Sequence, residues 1–341
     1  MKEHERIPQG TYFITGITGF VGSIFTKRLL NSTEYHQGMI KIIGLIRSHE
    51  KAARMYEGFD LSHVQFVEGT LEQVNDELLK QNQINESIDY IVHCASTTQS
   101  KVMVANPVET ANGIILGTRN MLELARKKQV KSMVYLSSME VYGKKSVRKE
   151  RITEEESVDI APLSVRNCYQ LGKAMAENYC SSYYHEYQVP VKIARLAQVF
   201  GSGTLPEETR VFAQFADSVI QKKDIVLHTM GESIGNYCSS EDVVEGLLVI
   251  LEKGKNGEAY NVVNEETTMR IRDMANLVAT EIADGVIQVV FDVKDEMAAV
   301  YAADTGLRLS SKKLEGLGWS PKQSMRDMYK VMIKEREEMK K

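Results

Sequence analysis

The sequence predicts an α/β protein, a doubly wound parallel sheet with a smaller C-terminal α/β substrate lobe. Three observations carry this expectation. Short runs rich in β-branched residues alternate with amphipathic helical stretches through most of the chain. The first run ends in a glycine-rich turn that opens directly into a helical stretch. After about residue 198 the alternation breaks down at GSGTLPEETR, where glycine and proline punctuate the chain.

The predicted strands are TYFITG (11–16), KIIGLIR (41–47), HVQFVEG (63–69), DYIVHCA (89–95), KSMVYLSS (131–138) and VKIARLA (191–197). Each is nearly continuous in apolar character, as a strand covered on both faces must be. A helix is expected over 105–128, with Val108, Ala111, Ile115, Met121, Leu122 and Ala125 on one side. EDVVEGLLVILEKGK reads as an amphipathic helix, and EAYNVVN (258–264) as a strand returning to the main sheet. The expected division is therefore interleaved. Residues 1–198 with about 236–264 form the larger domain, about 199–235 with 265–330 the smaller lobe, and 331–341 a surface helix tail.

With 341 residues and 43% hydrophobic content, the chain can bury a large core. A net charge of −4 and scattered basic residues argue against a nucleic-acid partner. Cys94, Cys168, Cys180 and Cys238 lack metal-site spacing, so reduced structural thiols and no metal site are expected. The opening MKEHERIPQG is polar and no run of roughly 18 apolar residues follows, which predicts no membrane span and a cytoplasmic location.

Strand TYFIT runs into GITGFVGS, placing Gly16, Gly19 and Gly22 on a strand-to-helix turn. Gly16 permits the turn, Gly19 lets backbone N–H groups approach a pyrophosphate, and Gly22 lets the helix pack close to the strand. A dinucleotide site is expected there, against the plainer alternative of a tight turn between core elements. In GLIRSHEK no Asp or Glu stands where the second predicted strand ends, to accept from a ribose 2′-hydroxyl. Arg47 and Ser48 could hold a 2′-phosphate, which favours NADP slightly and leaves NAD open.

In the helical stretch NCYQLGKAMAENYCSSYY, Tyr169 and Lys173 are four apart and share one face. An ammonium beside a phenol favours the phenolate, so Tyr169 is expected to serve as general base or acid on a hydroxyl, and Lys173 has donors to spare for a ribose. Upstream, a predicted strand ends in LSSMEVYG, where Ser138 could bond the hydroxyl that Tyr169 deprotonates or simply cap a loop.

GITGFVG, the HCAS run at 93–96, SSMEVYG and YQLGK together resemble the extended short-chain dehydrogenase/reductases, specifically the NAD(P)-dependent sugar-nucleotide epimerase, dehydratase and decarboxylase group. The resemblance spans roughly 11–330 and includes ANP at 105–107, GT at 117–118, YNVVN at 260–264 and LGWSP at 317–321. It implies a Rossmann-type domain, a C-terminal substrate lobe, a homodimer formed through a four-helix contact, and Ser138, Tyr169 and Lys173 as the catalytic set. Cofactor contacts are implied at Gly16, Gly19, Phe20, Val21, Gly22, Arg47, Ser48, Thr70, Leu71, Cys94, Ala95, Ser96, Asn112, Tyr169 and Lys173. Contacts to a nucleoside-diphosphate-sugar substrate are implied at Thr97, Thr98, Ser138, Met139, Gln198, Arg210 and Tyr237.

Relatives that eliminate or decarboxylate after oxidising C4 tend to carry Glu where this chain has Glu140, so a dehydratase with Glu140 as C5 base is the leading expectation. A salt-bridged loop residue, or a carboxylate that only holds a sugar hydroxyl, is its alternative. The chain departs from the family pattern at three places. Met139 stands where dehydratases have Asp, and Gly235 where relatives place an Arg against the diphosphate, a contact Arg210 could take over. Thr70 replaces an Asp near the adenine, leaving backbone contacts from Thr70 and Leu71. An epimerase, a decarboxylase and a net NADPH-dependent reductase remain as other reactions, and a silent dinucleotide sensor as a non-enzymatic reading.

Overall fold

Twelve strands follow one another along the described chain: β1 (Gly10–Thr15), β2 (Ile40–Ile46), β3 (Val64–Glu68), β4 (Tyr90–His93), β5 (Ser132–Ser138), β6 (Val191–Leu196), β7 (Gln198–Phe200), β8 (Ile225–Leu227), β9 (Ile234–Ser239), β10 (Ala259–Val262), β11 (Asn264–Arg270) and β12 (Val289–Phe291). The computed structural model describes residues 7–84, 86–97, 100–143, 150–293 and 306–339. β1 to β6 and β10 form one seven-stranded sheet in the order β3-β2-β1-β4-β5-β6-β10, with every pairing parallel. The six predicted strands and the predicted return strand are all present. β4 stops at His93, which leaves Cys94 and Ala95 in the loop beyond it.

Successive side chains of a strand point to opposite faces, so each strand feeds two cores. On β1, Tyr12 and Ile14 enter one cluster with Phe25, Leu29, Val243 and Leu247, while Phe13 enters the other with Ile91, Met121, Tyr135 and Ala176. Helices Phe20–Leu30 and Ser240–Lys253 cover the first face and are tied by Arg28 to Glu245 at 2.7 Å. Helices Pro107–Lys128 and Cys168–Tyr187 cover the second. Burying one such Leu or Phe side chain stabilises the fold by roughly 1.5–3 kcal/mol.

On helix Pro107–Lys128 the inward stripe differs from the expected one. Val108 is 64% exposed, and the buried set is Thr110, Ile114, Gly117, Thr118, Met121, Leu122, Leu124 and Ala125. The apolar residues near the helix start lie on a second, outward face, which periodicity alone does not separate from the core face.

The second lobe holds a three-stranded sheet, β11-β9-β7, and a two-stranded sheet, β12-β8. Helix Ser240–Lys253 and β10 pack with the main sheet, whereas β9 pairs in the smaller one. Helix Met325–Glu338 is not the surface tail expected from its charge. Met325, Met328, Tyr329 and Met332 join the second lobe's core, and Arg336, 6% exposed, bonds Asp217 Oδ1 at 2.8 Å. Its charges occupy the other face, so one amphipathic helix supplies both a surface and a core stripe. Among the described residues, no helix is long and apolar enough to cross a membrane, and all four cysteines are free.

Candidate active site

In an open parallel sheet, ligands bind beyond the carboxyl ends of the strands, where the strand order reverses. Here the reversal falls between β1 and β4. The chain leaves β1 at Gly16, β2 at Arg47, β4 at Cys94 and β5 at Ser138, so these predicted residues share one edge of the sheet. Gly16 has φ +67, and a Cβ there would stand 2.8 Å from the Ala95 nitrogen. A Cβ on Gly22 would enter the van der Waals shell of the Gly16 carbonyl oxygen, and one on Gly19 would lie 3.1 Å from it. Helix Phe20–Leu30 begins at Gly19 with no side-chain cap, which leaves its first N–H groups, with Phe20 and Val21 half-buried beside them, for an anionic ligand.

Across the crevice the Ala95 N–H donates to Thr15 Oγ1 at 3.2 Å, and Ser96 Oγ is buried with no hydrogen-bond partner among the described residues. An orphaned buried hydroxyl one residue past Ala95, which packs on the uncapped glycine turn, fits a dinucleotide. Thr97 is half-buried in the same loop, and Thr98 lies outside the described residues.

Arg47 is exposed just past β2 with no ion-pair partner among the described residues, and Ser48 caps the next helix through Lys51 N at 3.2 Å. At the predicted adenine contact, the Thr70 N–H donates to Gln73 Oε1 at 2.8 Å in a capping box. The Leu71 carbonyl is likewise held by Asn120 Nδ2 at 3.0 Å. Asn112 is exposed on the outer face of its helix, and Ile114 is the residue turned inward, against Gly172. The cofactor contact expected of Asn112 is therefore not built by this helix.

Tyr169 and Lys173 are both buried on helix Cys168–Tyr187, at 7% and 3% exposure. The Ser138 hydroxyl partners the Tyr169 phenol, and its oxygen also accepts from Glu140 N at 3.2 Å, so it caps and faces the site at once. The expectation that Lys173 makes this phenol acidic is corrected. Burial, followed by the Glu140 carboxylate, raises the Tyr169 pKa, against lowering by Ser138 and Arg210. The Lys173 ammonium instead donates to the Leu136 carbonyl at 2.7 Å and lies 4.8 Å from the Tyr135 ring centroid and 5.8 Å from that of Tyr169. The spacing set the shared face, but strand β5 captured the ammonium.

Glu140 retains solvent access yet is hemmed in by protein, as a group lining an open cleft is. This desolvation raises its pKa, and Arg210 and Arg166 oppose the shift. Arg210 thus faces Glu140, Tyr169 and Tyr237, while Glu208 holds it at 2.5 Å. Tyr237 itself is fully buried, stacked edge-on against Phe200 and Phe212, and its ring fills the space above Gly235. It is a core residue of the second lobe, not an open lining of the cleft. Gln198 is half-buried at the start of β7, and Met139 packs beside Val141, Tyr142 and Ile152.

Residues 12–263 match the sequence profile of the NAD dependent epimerase/dehydratase family. The chain belongs to that family. It is 25% identical over 323 residues to dTDP-D-glucose 4,6-dehydratase of Bos taurus, covering 94% of this chain and 86% of that protein. Among solved structures, UDP-glucose 4-epimerase of Thermotoga maritima with UDP-glucose shares the fold at a TM-score of 0.80 and 22% identity, covering 97% of this chain and 100% of that one. The dTDP-glucose 4,6-dehydratase of Bacillus anthracis in complex with NAD does so at 0.76 and 22%, covering 96% of each. The motif resemblance, the Rossmann-type sheet and the expectation of a nicotinamide-dependent enzyme are all borne out.

Several residues of this epimerase/dehydratase site escaped sequence reading. Arg166, three before Tyr169, reaches the field of Glu140 from the short 3-10 turn Val165–Asn167, which no periodicity reports. Arg195 was legible in principle, since a guanidinium inside the largely apolar run VKIARLA demands a buried partner. That partner is Glu177, four beyond Lys173 on the same helix stripe.

Proposed function

We propose that this family member is a nucleoside-diphosphate-sugar dehydratase that works through C4 oxidation, with Tyr169 as the C4 base and Glu140 as the C5 base. The observation that carries the reading is the meeting of Ser138, Glu140, Tyr169 and Arg210 at the end of β5. The glycine turn, the orphaned Ser96 hydroxyl and Lys173 would hold the dinucleotide beside them. When bound, that cofactor would supply hydride chemistry, taking the C4 hydride and giving it to C6 of the unsaturated ketone left by elimination, with C5 regaining a proton in exchange for the one Tyr169 took from the C4 hydroxyl.

Tyr169 Oη takes the C4 hydroxyl proton while Ser138 Oγ orients that hydroxyl. The resulting ketone acidifies the C5 hydrogen, and the Glu140 carboxylate removes it. With Met139 in place of a second acid, Glu140 delivers the same proton to the departing C6 hydroxyl, which leaves as water. Its raised pKa suits this double duty, because a group that both takes and gives a proton works best near the operating pH. Arg210, with Arg166, supplies positive charge for the diphosphate.

The direct test is incubation of the purified protein with UDP-, dTDP-, GDP- and CDP-sugars and mass analysis of the products. Loss of one water per sugar supports the reading. Loss of carbon dioxide assigns a decarboxylase, unchanged mass an epimerase, and stoichiometric consumption of NADPH a reductase, each of which replaces it.

NADP is the proposed cofactor, supported by Arg47, which has no ion-pair partner among the described residues, and by the lack of an Asp or Glu at the end of β2. A homodimer is proposed through helices Pro107–Lys128 and Cys168–Tyr187, whose outer faces carry Val108, Leu116 and Met175 at 64%, 39% and 40% exposure. We also place the substrate lobe at about 199–235 with 265–338, the last helix included, and the enzyme in the cytoplasm, in keeping with four free cysteines.

A further inference from the structure

A buried polar network lies directly behind the catalytic side chains. The Glu177 carboxylate accepts from Arg195 Nε at 3.0 Å and Nη2 at 2.7 Å, and from Ser137 Oγ at 2.5 Å. Arg195 Nη1 donates to Tyr142 Oη and to the Glu154 carbonyl, each at 2.9 Å, and Tyr142 Oη donates to Asn261 Oδ1 at 2.7 Å. Glu177 and Arg195 are 8% and 9% exposed. Ser137 precedes Ser138, Tyr142 is two residues past Glu140, and Glu177 is one helical turn past Lys173. The network therefore grips Ser138, Glu140 and Lys173 each through a near neighbour.

A buried ion pair is a weak source of stability, because desolvation offsets most of its attraction. Its worth here lies in what it does to Lys173. From its own helix, Lys173 faces Tyr169, Glu177 and Cys180; from β4 and the loop after it, His93 and Cys94; from β5, the Tyr135 ring and the Leu136 carbonyl. Burial keeps the His93 imidazole and both thiols neutral near pH 7. Among the described residues, Glu177 is then the anion that faces the ammonium. Burial lowers the Lys173 pKa to about 8, and Glu177 is the largest influence opposing that fall.

We propose that Glu177 and Arg195 are positioning residues for Lys173: Glu177 keeps the buried amine an ammonium in its working place, and Arg195 fixes the carboxylate and limits how strongly it acts. The inference rests on the reading that Tyr169 and Lys173 serve hydride transfer, and it can be tested apart from that reading. The full-length protein is labelled with 13C at lysine Cε, the Lys173 resonance is assigned with Lys173→Arg, and its titration is followed by NMR. In parallel, the pH dependence of kcat is measured on whichever sugar nucleotide the wild type turns over.

Glu177→Gln is expected to lower the Lys173 midpoint by about one pH unit, a tenfold loss of proton affinity, and to move the basic limb of kcat down with it. Arg195→Gln is expected to raise the midpoint, because Glu177 is then shared with no guanidinium, and Arg195→Lys should restore wild-type behaviour. Opposite signs from the two partners are not produced by general loosening of the fold. If Glu177→Gln does not fold, Glu177→Asp withdraws the carboxylate by one methylene and should give a smaller downward shift. An unchanged Lys173 midpoint in a folded Glu177 variant, or a fall in kcat without movement of its basic limb, overturns the proposal. If the wild type turns over no sugar nucleotide, the functional reading fails while the NMR midpoints still decide this one.

Discussion

The Glu140 carboxylate raises the pKa of the Tyr169 phenol, so the two groups resist being ionised together at the mouth of the cleft. Glu140→Gln removes that anion. The elimination rate should fall by roughly 10²–10⁴-fold, while C4 oxidation persists and its rise with pH moves to lower pH. Single-turnover absorbance of the reduced nicotinamide, read with product mass, distinguishes the two steps, and full turnover by this variant removes Glu140 from the mechanism. Tyr169→Phe should give no reduced nicotinamide at all.

Arg210 lowers the pKa of both Glu140 and Tyr169, so Arg210→Gln should raise both. The limb of the pH–rate profile that reports ionisation of Glu140 then shifts upward. KM for the sugar nucleotide should rise about tenfold, equivalent to about 1.4 kcal/mol of lost binding. Steady-state kinetics across pH would show both effects, and an unchanged KM would free Arg210 from substrate contact.

Gly22→Ala places a methyl group against the Gly16 carbonyl at the tightest point of the glycine turn. Overpacking of this kind costs about 1–3 kcal/mol. The expected result is a lower thermal midpoint together with weaker cofactor binding in a fluorescence titration, since the same turn shapes both.

Arg47→Ala tests the cofactor preference. Loss of a charge-assisted contact worth about 1.5–3 kcal/mol should weaken NADPH binding roughly 10–100-fold and leave NADH binding unchanged. Equal effects on both dinucleotides would withdraw the NADP proposal.

His93 is fully buried between Thr15 Oγ1 at 2.7 Å and Thr118 Oγ1 at 3.3 Å, and burial, helped by Lys173, lowers its pKa from 6.5 to about 3. The unfolded chain binds this proton first on acidification. Its stabilising contribution is therefore complete above pH 6.5 and is lost as pH falls toward 3, at about 1.4 kcal/mol per pH unit. Urea denaturation at two pH values below neutrality should show that slope, and His93→Gln should flatten it.

The strands and the glycine turn were legible because their signals are local. A continuous apolar run such as KIIGLIR needs no partner to be read, and Gly16 and Gly22 sit within one turn of each other. The outward face of Val108 and Asn112, the burial of Met332 and Arg336, and the burial of Tyr237 were not, since each depends on which neighbouring element covers an amphipathic or aromatic surface.

By itself, the order of residues determined the seven-stranded framework and the glycine turn, because periodicity and spacing act within a few residues of the chain, and its motif resemblance singled out Ser138, Glu140, Tyr169 and Lys173 as candidates. Only the tertiary structure decided that Lys173 would be drawn to Leu136, that Glu140 and Arg210 would set the Tyr169 phenol, and that Glu177 would find Arg195. Electrostatics among buried groups depends on distance and desolvation, and both are created when distant segments pack together.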